Sequence, residues 1–87
     1  MAEVELYTTN WCPYCTRARM LLRRKGASFI DIDIDEDPKR RAEMIRRTGG
    51  RTSVPQIFID GELIGGSDEL AALEAAGKLD VKLGATK

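Results

Sequence analysis

Residues 3–24 read EVELYTTNWCPYCTRARMLLRR, and the fold turns on this stretch. Val4 and Leu6 alternate with Glu3 and Glu5, which predicts a strand from Glu3 to Thr8. Asn10 and Trp11 then lead into Cys12-Pro13-Tyr14-Cys15. Pro13 suits the first position of a helix, where a missing N–H costs nothing. Behind it, Tyr14, Ala18, Leu21 and Leu22 share one helical face, with Arg17, Arg23 and Arg24 directed elsewhere. Gly26 is placed to stop that helix. A helix starting where a strand ends lies at the carboxyl edge of the sheet, where ligands collect in open α/β folds. Two thiols sit at that join.

Outward from this unit, Phe29 to Ile34 predicts a second strand, with Ile30, Ile32 and Ile34 on one face and Asp31 and Asp33 on the other. Asp37-Pro38 opens the next helix, aspartate as N-cap and proline just inside. Ala42, Ile45 and Met44 are candidates for its buried side, and Gly49-Gly50 ends it. Pro55 opens a third strand, Gln56 to Asp60, whose Ile57-Phe58-Ile59 centre suits burial on both faces. Asp60-Gly61 is the dipeptide of a two-residue hairpin, so Glu62 to Ile64 should return antiparallel. Gly65-Gly66 gives a sharp bend, and Ser67 is placed to cap a last helix with Asp68 and Glu69 in its first turn. Leu70 and Leu73 should face inward, Gly77 stops the helix, and Leu79 to Leu83 adds a short final turn.

The order β-α-β-α-β-β-α predicts an α/β fold, a four-stranded mixed sheet with helices on both faces. Its first two strands should be parallel through a right-handed crossover and its last two antiparallel. Eighty-seven residues without repeat, linker or low-complexity segment predict a single domain over 1–87.

Lysine plus arginine equals aspartate plus glutamate at fourteen each, so there is no basic field for nucleic acid. No apolar run reaches bilayer length, and the start at Met1 lacks a basic segment followed by an apolar one. A cytoplasmic protein with no membrane partner is expected. The chain has two cysteines and no histidine. Half of a zinc site would need two more ligands, and neither a third cysteine nor a histidine exists to supply them. Two thiols three positions apart in a reducing compartment point to redox chemistry instead.

A thiolate, not a thiol, attacks disulfides. The N-terminus of a helix offers unpaired N–H groups and about half a positive charge, and both favour the anion. Cys12 sits at that terminus and is the candidate nucleophile. Cys15, one turn in, can reach the mixed disulfide formed on Cys12 and release it by a second exchange.

Cys12-Pro13-Tyr14-Cys15, followed by Ser53-Val54-Pro55, Gln56-Ile57-Phe58-Ile59 and Gly65-Gly66-Ser67-Asp68, closely resembles the dithiol glutaredoxins, in particular the small bacterial kind. The resemblance runs from Val4 to about Leu83. It implies a thioredoxin fold and glutathione-dependent reduction of protein disulfides and glutathione mixed disulfides. It also implies no bound cofactor, with glutathione as reductant, and a place in cell redox homeostasis and electron transport. The implied partners of a monomer are glutathione and disulfide-containing or glutathionylated proteins, ribonucleotide reductase among those the resemblance allows.

Carried over by position, Tyr14 resembles the residue that packs beside bound glutathione. Val54 matches the position whose backbone pairs with the cysteinyl part of the tripeptide, like an added strand. Pro55 matches a cis-proline. Gly66, Ser67 and Asp68 match the seat of the γ-glutamyl end, where helix-start N–H groups meet a carboxylate and the Asp68 carboxylate meets an ammonium.

The sequence departs from the pattern at Thr9, where many members carry a lysine close to the ligand's glycine carboxylate. Arg41 aligns approximately with another contact to that carboxylate and is a candidate replacement; it reads equally well as a solvated residue among Lys39, Arg40, Arg46 and Arg47. Trp11 reads as a shield for the thiol or as a flat surface for a protein substrate. Asp31, Asp33, Asp35, Glu36 and Asp37 read as a charged edge strand that resists edge-to-edge pairing, followed by a helix cap.

Two other readings compete. A thioredoxin-type reductase served by a flavoprotein is opposed by the paired glycines before Ser67. A dimer holding a [2Fe–2S] cluster on Cys12 and glutathione thiols is opposed by Pro13 after the nucleophile.

Overall fold

The structure is a computed structural model that describes residues 2–84. The two ends of the expected 1–87 domain, residue 1 and residues 85–87, lie outside the described residues. The elements run β1 (Val4–Thr8), α1 (Pro13–Arg24), β2 (Ile30–Asp33), α2 (Pro38–Thr48), β3 (Gln56–Ile59), β4 (Glu62–Gly65), α3 (Ser67–Ala75) and α4 (Leu79–Leu83). One sheet holds the strands in the order β2-β1-β3-β4, with β1 and β2 parallel and the other pairs antiparallel.

Side chains alternate across a strand, so each central strand feeds two cores. Val4, Leu6, Ile57 and Ile59 pack on Ala18, Leu21 and Leu22 of α1 and on Leu70, Leu79 and Leu83 of the last two helices. Tyr7 and Phe58 point the other way and meet Met44 of α2, with Ile32 and Ile34 beside them. Asp60 and Gly61 both have positive φ, 53° and 79°, as a tight hairpin of this handedness requires. Asp37 caps α2, its side chain accepting from the Lys39 N–H.

Four expectations change. Ile30 is 59% exposed, because it begins an edge strand and α2 does not extend over it. On α2, Ala42 is exposed while Met44 and Thr48, one turn apart, are buried. Tyr14 is 53% exposed, and the inward face of α1 is Cys15, Ala18, Leu21 and Leu22. Gly66, not Ser67, is the N-cap of α3; its N–H donates to the Glu69 carboxylate, and Ser67 is already helical. The charged strand β2 is at the sheet edge, as expected. Asp31 is nonetheless not a free charge, since it pairs with Arg19 of α1.

Candidate functional site

The loop after β1 delivers Cys12 to the N-cap of α1 in an extended conformation, φ −119° and ψ 109°. The first N–H groups of a helix have no intrahelical partner, and that of Cys15 is one of them. The Cys15 N–H donates to the Cys12 sulfur at 3.1 Å. The Cys12 thiol also lies 3.8 Å from the Val54 carbonyl, which brings the start of β3 against the helix start.

Cys15 is its opposite. It is fully buried, and its thiol is pushed up to about 12, first by that burial and then by hydrogen bonding to Cys12. One sulfur is partly open and bonded to an amide; the other is buried and protonated, one turn away.

Tyr14, Ser53, Val54, Pro55, Gly66, Ser67, Asp68 and Glu69 line a shallow groove of about 200 Å³. Tyr14 stands at its wall with the Arg17 guanidinium 5.4 Å from the ring centre. The Val54–Pro55 bond is cis. The Ser53 turn is braced from inside, where buried Gln56 donates its amide to the Ser53 carbonyl at 3.0 Å. At the far end, the bend into α3 is fastened by Glu69, which accepts from the Gly66 N–H at 2.6 Å.

Six of the expected residues therefore meet in one groove, and the Val54 carbonyl connects it to Cys12. Thr9 and Arg41 do not line it; Thr9 is partly buried just past β1, and Arg41 is exposed on α2. Sequence reasoning did not single out Ser53, Gln56 or Glu69 as site residues. Only Glu69 left a signal, an acidic residue at the third helical position after a glycine bend. Trp11 is 95% exposed, so it leaves the thiol unshielded and presents its ring to solvent.

A larger hollow of about 380 Å³ lies between β4 and α3, lined by Leu63, Ile64, Ala72 and Leu73 among others. It shares Glu69 with the groove, and neither thiol lines it. Among the described residues, no helix is long and apolar enough to cross a membrane, and no cluster of three or more His, Cys, Asp or Glu side chains could hold a metal ion.

Comparison with known proteins shows the family and the fold. The glutaredoxin family model matches residues 4–64. Glutaredoxin 3 of Escherichia coli (strain K12) is 58% identical over 80 residues, covering 92% of this chain and 95% of that protein. The solution structure of glutaredoxin from Brucella melitensis, 52% identical, superposes with a TM-score of 0.84 over 100% of this chain and 94% of its own. A crystal structure of a buckwheat glutaredoxin–glutathione complex, 30% identical, gives a TM-score of 0.85 over 93% and 76%. The sheet is that of the thioredoxin fold, and the chain belongs to the glutaredoxin family of glutathione-dependent thiol–disulfide oxidoreductases.

Proposed function

We propose that Cys12 is the nucleophile and Cys15 the resolving thiol of this oxidoreductase, acting on a glutathione moiety seated between Val54 and the start of α3. The observation that carries this reading is the asymmetry of the two sulfurs: an amide N–H at 3.1 Å on one, complete burial on the other. The Cys12 thiolate attacks the glutathionyl sulfur of a mixed disulfide and expels the substrate thiolate, which takes a proton from water. A second glutathione then attacks the glutathionyl sulfur of the adduct, forming oxidised glutathione and releasing the Cys12 thiolate. By the other route Cys15 attacks the Cys12 sulfur, forming the Cys12–Cys15 disulfide and expelling glutathione, and two further glutathiones reduce that disulfide. For a protein disulfide, the same first attack leaves a protein–Cys12 adduct that Cys15 resolves.

In the groove, the Val54 backbone is free to pair with an extended peptide. The N–H groups of Ser67 and Asp68, unpaired at the helix start, suit the γ-glutamyl carboxylate, and the Asp68 carboxylate suits its ammonium. Tyr14 and Pro55 form the walls, with Gly66 allowing close approach. Thr9 brings no charge to the glycine end, and Arg41 is the nearest candidate for that task by family alignment. The chain acts as one domain and as a monomer, without a bound cofactor, on cytoplasmic glutathionylated or disulfide-bonded proteins, of which ribonucleotide reductase is one chemical possibility.

A coupled assay with glutathione, glutathione reductase and a small glutathione mixed disulfide tests this, run beside thioredoxin reductase. Cys12→Ser should abolish all turnover, whereas Cys15→Ser should keep deglutathionylation and lose reduction of protein disulfides. The reverse pattern would overturn the assignment, and reduction by thioredoxin reductase alone would overturn the choice of reductant.

A further inference from the structure

Resolution requires a thiolate at Cys15, and burial opposes it. The chain has no histidine to relieve the difficulty. What the fold supplies is a fixed cation. Arg19 lies one turn past Cys15 on α1. Long helical side chains lean back over the preceding turn, so a residue at i+4 covers residue i.

The guanidinium is not free to swing into water. Its Nε is 2.5 Å from the Asp31 carboxylate on β2, and the side chain is only 18% exposed. Asp31 in turn accepts from the Thr8 hydroxyl at 2.5 Å, which anchors the clamp at the end of β1.

We propose that Arg19, clamped by Asp31 and Thr8, is a positioning residue for resolution, its charge stabilising the Cys15 thiolate as that sulfur attacks the mixed disulfide on Cys12. This rests on the assignment of Cys12 and Cys15 made above. In the step, the Cys15 thiol gives its proton to water and a Cys15–Cys12 bond forms. The bond from Cys12 to the glutathionyl sulfur breaks, and glutathione leaves as a thiolate carrying the electron pair. The protein pair is oxidised and the leaving sulfur reduced. The ionisable groups facing Cys15 are Cys12 and Arg19 on α1, with Asp31 of β2 behind Arg19 and Arg23 acting on Asp31 in turn.

The effect has a computable size. An opposite charge nearby is worth about one unit in the ionisation of a thiol. Each unit changes the thiolate fraction about tenfold, partly offset by nucleophilicity, so the rate moves roughly three- to fourfold. Rapid mixing of reduced protein with oxidised glutathione, quenched by acid and followed by mass, separates formation of the Cys12–glutathione adduct from its collapse to the internal disulfide.

Arg19→Gln should slow the collapse roughly three- to fourfold at neutral pH and move its pH profile upward by about one unit. Adduct formation should change little. Arg19→Lys, which retains the charge, should restore most of the rate. In the Cys15→Ser background, Arg19→Gln should alter deglutathionylation by less than about twofold, because the sulfur it serves is gone. An unchanged collapse rate, or equal slowing of both phases, overturns the role of Arg19. Failure of the unsubstituted protein to form any adduct on Cys12 overturns the underlying assignment instead.

Discussion

Replacing Gly65 by alanine tests whether the bend that carries the proposed γ-glutamyl seat is built by Glu69. Gly65 ends β4 with φ of +115°, a region in which a Cβ is strained. A Cβ placed there would stand 2.6 Å from Glu69 Oε1 and 3.0 Å from its Cγ. Glu69 is an exposed, flexible side chain and can retreat, but in doing so it gives up the bond it accepts from the Gly66 N–H. Two costs follow: backbone strain of about 1–3 kcal/mol, and loss of a helix-start hydrogen bond of about 0.5–2 kcal/mol. Gly65→Ala should therefore destabilise by about 3 kcal/mol, a large share of the roughly 5–15 kcal/mol typical of a domain.

Glu69→Ala should cost only the second of these, about 1 kcal/mol. On that background Gly65→Ala should cost only the strain, so the two substitutions should fall short of additivity by about 1 kcal/mol. Urea titrations of the four proteins measure this cycle. The KM for a glutathionylated peptide should rise in Gly65→Ala more than kcat falls, since the seat moves while the thiols do not. A cost below about 0.5 kcal/mol, or strict additivity, would refute the claim that Glu69 occupies the space a Cβ needs.

On the other face, Arg47 stacks 4.0 Å from the Phe58 ring centre and donates to Glu5 and to the Tyr7 hydroxyl, so Arg47→Met should cost about 1–3 kcal/mol in the same titration. The Tyr7 hydroxyl and Arg40 donate to Glu43, which holds that carboxyl below the usual glutamate range. A depressed carboxyl adds stability above its unfolded pKa of about 4.3 and loses it as pH falls through the lower folded value, so the drop in Tm between about pH 5 and 3 should be shallower in Glu43→Gln. Thr9→Lys should lower KM for the glutathionylated substrate by at most about fivefold, with the gain fading in salt, as an exposed pair would. Arg41→Ala should raise that constant by at most about fivefold, and no rise would show that α2 does not hold the glycine carboxylate.

Much of the fold was legible because its signals are local. Pro13, Asp37-Pro38, Asp60-Gly61 and Gly49-Gly50 each fix a boundary through the conformations they allow, and each boundary lies where they put it. What escaped depends on how far one element covers another. The alternation that put Ile30 with Ile32 and Ile34 was correct as to face, yet only the latter two meet α2. The ion pairs escaped for the same reason. Asp31 reads as one more edge charge until α1 lays Arg19 across it, and Arg47 reads as a solvated helix charge until β1 supplies Glu5 and Tyr7. In the site, the thiol pair was readable from its own four residues. Val54, 42 positions past Cys12, and the Gly66–Asp68 turn beyond it were assembled only by resemblance.

The division of labour between the sulfurs follows from their spacing along one helix. A helical residue turns by about 100° from its neighbour, so each position in the first turn of α1 faces a different environment. Pro13, Tyr14, Thr16 and Arg17 are exposed, and of positions 13 to 17 only Cys15 is buried. Its amide is also the one that reaches back to the Cys12 sulfur, so a single residue supplies a donor to the attacking thiolate and a hidden thiol to displace its adduct. Moving the second thiol to position 14 or 16 would keep it near Cys12 but place it in water, where it would compete as a nucleophile. Position 15 instead keeps the second sulfur protonated and out of reach until the first has reacted. That protection opposes ionisation at the moment of resolution, which is why a clamped cation one turn further along the same face matters.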